Sequence, residues 1–332
     1  MDLSQTQQLF FNQVRAKMPA HFSFVDEVAE LLNISNDSAY RRIRGEKPLG
    51  LDEMQVLCTK YQVSLDQILG VNSNTVIFTY DKVDHLYFGF IKYLEYLANT
   101  LELFTKLSNV KMYFYSKDIP PYLFTPFPEL MAFKFFFWKR TLMGYPELAR
   151  QKFEGAVTDQ ETAALARKID LLYTKIPSID IWNGESINAT LNQLDFYRQT
   201  NIFPDKDVLL KVYSQLDELV TYLELQAEKG KKLSYDKPDL LTNVPYDAYI
   251  NETLIGDNTV FVQSDNRQIT FINHSGINLM STEDPGFGEV TFKHIENVIR
   301  KSVHISVAGE KERSVFFNNL REKIYLQKKN VN

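Results

Sequence analysis

The chain has 332 residues, of which 44% are hydrophobic and 24% charged, and its net charge is −5 at neutral pH. This length and composition exclude wholesale disorder, and the single cysteine, Cys58, excludes an intrachain disulfide and a cysteine-based metal site. The N-terminus lacks a secretory pattern, and the most apolar stretch, 122–142, carries four charged residues. We therefore expect a cytoplasmic protein that does not enter a membrane.

Five short helices are predicted in the first 70 residues from apolar residues at helical spacing. Ser23 and Asp26 have the spacing of a capping box at the second helix, and Ser35 is placed to cap the third. The predicted helices are 5–17, one that begins at Ser23, 36–44, 51–61 and 64–70.

From residue 75 onward, aromatic residues become dense and strand-like runs appear. Strands are predicted at Lys111–Tyr115, Thr259–Gln263 and Gln268–Asn273, and the last two are expected to form an antiparallel hairpin with a four-residue loop. Further helices are predicted at 81–107, 128–143, 158–175, 184–199, 205–229, 289–303 and 309–328.

These elements predict a helix-dominant α+β protein with two domains. Residues 1–70 are expected to form an all-α, five-helix domain, and 71–80, which are rich in turn formers, a linker. Residues 81–332 would then be a larger α+β domain with a regulatory and dimerisation role.

The second and third predicted helices carry the residue types that a helix-turn-helix requires. Ala29 is small where the two helices would cross, and Asn33 can adopt the left-handed backbone of the sharp turn. Ile34 can plug the turn, while Ala39 and Ile43 lie four residues apart and can face inward.

The opposite face of the third helix is polar. Arginine and asparagine are the side chains that most often read guanine and adenine in the major groove. Although residues 1–70 hold seven basic and nine acidic residues, four basic residues cluster within seven positions: Arg41, Arg42, Arg44 and Lys47. The residues expected to project outward from this helix are Asn36, Asp37, Tyr40, Arg41 and Arg44.

The segment Phe24–Glu46 resembles the Cro/C1-type repressors of the XRE family, and Asp37–Glu46 is similar to the BetR domain of prophage-repressor-like proteins. The resemblance is confined to residues 1–70. It implies a sequence-specific transcriptional regulator, a repressor or an activator, that binds double-stranded DNA as a homodimer. The implied DNA-binding residues are Ser35, Asn36, Asp37, Tyr40, Arg41, Arg42, Arg44 and Lys47.

Arg42 departs from the family pattern, which generally has an aromatic or apolar residue there, with Ile43 one place later. Which of Tyr40, Arg41 and Arg42 would read bases therefore stays open. An alternative is a dimeric protein-interaction scaffold whose N-terminal bundle exposes its arginines to solvent.

A heptad-like seam begins directly after the linker. It predicts a dimerisation helix, although a wider apolar stripe around it is equally typical of an ordinary buried helix. The seam residues are Val83, Tyr87, Phe90, Leu94, Leu97, Leu101 and Phe104.

A dense set of aromatic residues follows. They are expected to wall a pocket for a small-molecule effector, and the alternative is that they fill a core. The polar groups that could orient the effector are Lys134, Asn183, Asn188 and Asn192. The predicted pocket residues are Tyr113, Tyr115, Phe133, Phe137, Trp138 and Trp182.

Motifs of enzymes and metal sites are absent from the sequence. The five histidines are scattered, and neither an HExxH pattern nor a glycine-rich phosphate-binding loop occurs. We therefore expect no enzymatic activity, no catalytic residues, no metal site and no cofactor.

Overall fold

The computed structural model divides into two compact units, Met1–Ile77 (unit 1) and Phe78–Asn332 (unit 2). The division falls inside the predicted linker, and the described residues form an α+β protein rich in helix. The described residues are 3–18, 23–61, 63, 65, 68, 75–80, 89–115, 117–156, 159–234, 237–253 and 258–331.

Four helices of unit 1 match their predictions closely. The Oγ atom of Ser35 accepts the Ser38 N–H at 3.3 Å, as predicted for a cap at the N-terminus of the third helix. Ser23 precedes the second helix but makes no side-chain capping bond, so the predicted capping box does not form. Of the predicted fifth helix, only Leu65 and Ile68 are described. The four helices are α1 (Leu3–Ala16), α2 (Phe24–Leu31), α3 (Asn36–Ile43) and α4 (Leu51–Tyr61).

The core of unit 1 draws on all four helices. Phe11 of α1 packs edge-on against Phe24 of α2, and Ala39 of α3 and Leu57 of α4 are fully buried. Cys58 is half-buried against the same cluster. Only one face of α3 is used by this core, so its other face is left to solvent.

Unit 2 is built on a mixed sheet that contains eight strands among the described residues. Strands β1, β5 and β6 were predicted, including the β5–β6 hairpin, whereas the other five were not. The strands are β1 (Lys111–Tyr115), β2 (Ser178–Trp182), β3 (Lys231–Ser234), β4 (Lys237–Ile250), β5 (Thr259–Gln263), β6 (Gln268–Ser275), β7 (Asn278–Thr282) and β8 (Val303–His304).

The strand order is β3-β4-β2-β1-β5-β6-β7, and β8 pairs with the C-terminal end of β4. The central strands β4, β2 and β1 run parallel to one another, and the neighbours on both sides are antiparallel. Parallel strands need long crossovers, which here contain helices.

Helices cover both faces of this sheet. The predicted helix at 128–143 is α-helical only to Phe137 and continues as a π-helix, Trp138–Leu142. Among the described residues, no helix combines the length and apolar character needed to cross a membrane. The α-helices of unit 2 are α5 (Phe90–Thr105), α6 (Pro121–Phe124), α7 (Pro128–Phe137), α8 (Gln160–Tyr173), α9 (Asn188–Gln199), α10 (Lys206–Lys229), α11 (Pro285–Arg300) and α12 (Glu310–Lys329).

Strand β1 shows how the two faces differ. Met112 and Phe114 belong to the large core, while Tyr113 and Tyr115 point to the opposite face and join a smaller cluster with Ile295 of α11. This alternation is what a strand buried on both faces requires.

Candidate functional site

The turn between α2 and α3 has the geometry that the sequence predicts. Asn33 adopts the left-handed conformation with φ of 52°. Ile34 donates its N–H to the Ala29 carbonyl oxygen at 3.0 Å, and its half-buried side chain packs on the core. These contacts fix the angle at which α3 leaves the turn.

Arg42 lies on the inner face of α3. Its side chain is 8% exposed, and its Nε and Nη2 atoms donate to the two carboxylate oxygens of Glu53 on α4 at 2.9 and 2.7 Å. Its Nη1 donates to Ser38 Oγ at 2.6 Å. Arg42 is among the predicted DNA-binding residues, but the structure places it away from the exposed face of α3, and its guanidinium is already satisfied inside unit 1.

The Arg42–Glu53 ion pair joins α3 to α4. The hydrogen bond from Arg42 lowers the pKa of Glu53, against the opposing effect of desolvation. Glu53 also accepts the Gly50 N–H at 3.0 Å. The charge-assisted, two-pronged contact therefore stabilises the end of α3 and the start of α4 together.

Two glutamines of α1 hold the C-terminal end of α3, where carbonyl groups lack helical partners. Gln7 donates from Nε2 to the carbonyl oxygens of Arg42 at 2.6 Å and Lys47 at 2.8 Å, and its Oε1 accepts the Leu49 N–H at 3.0 Å. Gln8 Nε2 donates to a further carbonyl of this turn at 3.0 Å. Sequence reasoning missed Gln7 and Glu53, because each acts on residues distant in the chain.

The structure exposes seven of the eight predicted DNA-binding residues. The Arg41 and Arg44 side chains are 54% and 57% exposed. Arg44 donates from Nη2 to Tyr40 Oη at 3.0 Å, and its guanidinium carbon lies 4.4 Å from the centroid of the Tyr40 ring. The seven exposed residues are Ser35, Asn36, Asp37, Tyr40, Arg41, Arg44 and Lys47.

Two acidic residues moderate the charge of this polar face. The carboxylate oxygens of Glu46 lie 3.9 Å from Arg41 Nε and 3.5 Å from Arg44 Nη1. Asp26 Oδ1 accepts a hydrogen bond from the side-chain amide Nδ2 of Asn36 at 2.7 Å. Exposed pairs of this kind are weak and can be exchanged for other partners. The side chains of this face are therefore only loosely held.

The described residues of the predicted dimerisation seam do not lie on a free surface. Val83 and Tyr87 fall outside the described residues, and Leu97 packs half-buried against the core of unit 2. Because the other side chains are already covered within the same chain, the interpretation of α5 as a buried helix replaces that of a dimer seam. The buried seam residues are Phe90, Leu94, Leu101 and Phe104.

The six predicted pocket residues do not come together. Phe137 and Trp138 line a cavity of about 350 Å³, but Phe133 stacks on Phe203 in the core, with ring centroids 5.8 Å apart. Trp182 is buried with its ring centroid 6.2 Å from that of Phe114. Tyr113 and Tyr115 occupy the opposite face of the sheet, because successive residues of a strand alternate.

Lys134, which the sequence suggests as a polar group of the pocket, is fully buried beside this cavity. Its Nζ donates to Thr190 Oγ1 and Gln193 Oε1, each at 3.1 Å, and to Asp118 Oδ2 at 3.4 Å. Asp118 and Gln193 themselves line the cavity. Asp118 and Gln193 thus form a polar end of the cavity with a buried cation behind it, and Asn258, Asn273 and Asn278 add polar side chains elsewhere in the lining.

A second buried polar pair lies in the main core. Asp180 of β2 and Lys232 of β3 are fully buried, and the Lys232 Nζ lies 3.3 Å from the centroid of the Tyr173 ring. Desolvation lowers the pKa of Lys232 to about 7 and raises that of Asp180. Shifted acid–base pairs occur at active sites, whereas both of these side chains are fully buried.

A metal would need several suitable side chains in one place. The described residues bring together no group of three or more His, Cys, Asp or Glu side chains that could hold a metal ion. Comparison of the chain with models of protein families, with curated proteins and with solved structures gives no match.

Proposed function

We propose that the chain is a sequence-specific DNA-binding transcriptional regulator, a repressor or an activator, in which α3 of unit 1 enters the major groove. The observation that carries this proposal is the division of α3 into a locked inner face and an exposed polar face. Gln7 and the Arg42–Glu53 pair hold the inner face. A rigidly held helix with outward arginine and asparagine side chains has the chemistry of groove readout.

Arg41 is the best candidate to read a base. Arg42 is engaged with Glu53, whereas Arg41 projects from the same turn with only a loose contact to Glu46. Arg44, which lies against the Tyr40 ring at the end of α3, is better placed for phosphate contacts. The turn at Asn33 supports the resemblance to Cro/C1-type repressors.

Regulators of this type read two half-sites with two copies, and we include a homodimer in the proposal. Because α5 is covered within its own chain, the dimer contact would use another surface. Sedimentation of the full chain at micromolar concentration tests this part, and a monomer that also binds DNA as a monomer would contradict it.

The decisive experiment selects genomic DNA fragments with the purified full chain and then titrates one of them by fluorescence anisotropy. Arg41→Ala is expected to cost about 1–3 kcal/mol and to relax specificity at one base position. Arg44→Ala should weaken binding to all sequences evenly. Affinity should also fall steeply as salt rises, because bound counterions are released from DNA.

Lys60→Ala is the matched control, because it removes one exposed positive charge of unit 1 from α4 instead of α3. It should leave binding nearly unchanged. Parent-like binding by the Arg41→Ala/Arg44→Ala double variant would overturn the proposal. A folded chain that retains no DNA even at low salt would favour the protein-interaction scaffold instead.

A further inference from the structure

The cavity in unit 2 lies between strands of the sheet and the helical layer, and its volume is about 350 Å³. Pockets for small molecules are mostly apolar and span about 300–1,000 Å³, with a few polar groups that fix orientation. Rings and aliphatic side chains from α5, β1, α6, the π-helix and β7 supply the apolar wall. They include Tyr93, Leu97, Phe114, Tyr122, Trp138 and Leu279.

The polar end of the cavity is organised before any ligand arrives. Asp118 and Gln193 both face the cavity and both accept hydrogen bonds from Lys134. The Lys134 ammonium also lies 5.7 Å from the Phe124 ring centroid and 6.0 Å from that of Trp138. A fully buried lysine with three oxygen acceptors has little freedom, so it fixes the orientation of both cavity-facing side chains.

The charges at this end balance. The Lys134 ammonium compensates the Asp118 carboxylate, so an anionic ligand would meet the carboxylate and a cationic ligand would compete with the lysine. Gln193 uses its carbonyl oxygen for Lys134, so it presents its NH₂ group as a donor. An uncharged group that both donates and accepts, such as a carboxamide or a hydroxyl, matches this pair.

The backbone around the cavity is also adapted. Trp138 and Leu142 both belong to the π-helix, a rare conformation that occurs frequently at functional sites. Gly276, in the turn between β6 and β7, has φ of 74°, and a Cβ atom there would lie 3.0 Å from Leu142 Cδ1. The glycine therefore leaves the space that the Leu142 side chain occupies at the cavity wall.

We infer that this cavity binds a small uncharged molecule with a ring-sized apolar body and one carboxamide or hydroxyl end. The apolar body lies against Leu97 and Trp138, and the polar end contacts Asp118 and Gln193. This assignment stands on unit 2 alone and does not depend on DNA binding.

The test uses 2-naphthamide and its isosteric anion 2-naphthoate as probes of the full chain in calorimetric titrations. The amide is expected to bind with a Kd of about 1 mM or tighter, as is usual for a ligand of this size. The carboxylate should bind at least tenfold more weakly, because it places a negative charge beside Asp118. Equal affinity for the two probes, or no binding of the amide, would overturn the assignment.

Variants locate the bound probe. Leu97→Trp fills the cavity and should weaken amide binding at least tenfold, while Leu171→Trp, on the exposed part of α8, makes the same exchange elsewhere and should bind like the parent. Leu142→Trp serves the same purpose at a half-exposed position if circular dichroism shows that Leu97→Trp misfolds. Undiminished binding in the folded cavity variants would refute the site.

Asp118→Asn tests the polar end through the ratio of the affinities for the two probes, which a change in packing alone would leave the same. Without the carboxylate, the charge of Lys134 is no longer compensated, so the preference should shift toward 2-naphthoate by at least tenfold. An unchanged ratio of the two affinities would show that Asp118 does not contact the ligand.

Discussion

Each unit buries a cation beside an acidic residue, and the two cases are opposite in kind. In unit 1, both carboxylate oxygens of Glu53 accept hydrogen bonds from Arg42 at 2.9 Å or less. In unit 2, Lys232 lies over the faces of Tyr173 and Tyr246, at 3.3 and 4.9 Å from the ring centroids. A guanidinium stays charged in any protein interior, so it needs a partner, whereas a buried lysine can give up its proton. Unit 1 thus uses its buried charge to hold a surface helix, whereas in unit 2 burial shifts Lys232 toward its neutral form.

The largest effect is expected from Arg42→Met. This change leaves Glu53 without its partner, and breaking such a pair should lower the free energy of unfolding of unit 1 by about 2–4 kcal/mol, given that Glu53 is partly exposed. Hydrogen exchange in peptides from 24–61 measures it. Arg41→Met, on the exposed face, is the control and should change stability by about 0.5 kcal/mol or less. Equal losses in the two variants would remove the proposed role of the pair.

Lys232→Met should have the opposite sign. Burial opposes the charged form of Lys232, and it also raises the pKa of the neighbouring Asp180, so this carboxyl can stay neutral when the lysine is removed. Replacing Lys232 by an apolar side chain of similar length is therefore expected to stabilise unit 2 by about 1–3 kcal/mol near pH 7. Tryptophan fluorescence follows this unit alone, since Trp138 and Trp182 are the only tryptophans of the chain. If Lys232→Met instead destabilises unit 2 as much as Arg42→Met destabilises unit 1, the two buried cations do not differ in the way described.

The gain from Lys232→Met should depend on pH. The pKa of Lys232 is about 7 in the folded chain and about 10.4 in the unfolded chain, so between these values the unfolded state binds more protons. The stability of the parent therefore rises with pH across this window, and the advantage of the variant shrinks. Urea titrations at pH 7 and pH 9.5 measure the difference, and a constant advantage would argue against the lowered pKa.

Glu53 gives unit 1 a weaker pH dependence in the acid range. Its folded pKa is lowered from the ordinary value of about 4.5, so its contribution is complete above that value and is lost as pH falls through the lowered pKa. Glu53→Gln should reduce the loss of helical signal as the pH falls below about 4.5. Identical acid unfolding of parent and variant would contradict this role of the carboxylate.

The buried charged residues of the two units explain much of what sequence reasoning could and could not predict. Helices and the β5–β6 hairpin follow from local spacing and turn residues, which act within a few positions. Strand β2 was missed because Asp180 interrupts its apolar run, and β3 because Lys232 does the same to a four-residue strand. The inward orientation of the Arg42 side chain could not be predicted, because its partner Glu53 lies on another helix.

A smaller contrast concerns backbone strain. Asn33 of unit 1 and Val307 of unit 2 both have φ near 50°, but asparagine tolerates this conformation and a β-branched residue does not. Val307→Gly is expected to stabilise unit 2 by about 1 kcal/mol, and Asn33→Gly to stabilise unit 1 by about 0.5 kcal/mol or less. Thermal unfolding measures both, and a larger gain at Asn33 would reverse this ranking.

The half-buried thiol of Cys58 allows the opening of unit 1 to be followed over time. Burial raises its pKa, so little of the reactive thiolate is present while the helices are packed. As the chain has a single cysteine, the alkylation rate of the full chain reports how often α4 separates from its neighbours. The same reaction in the presence of a bound nucleic acid would show whether binding slows that opening.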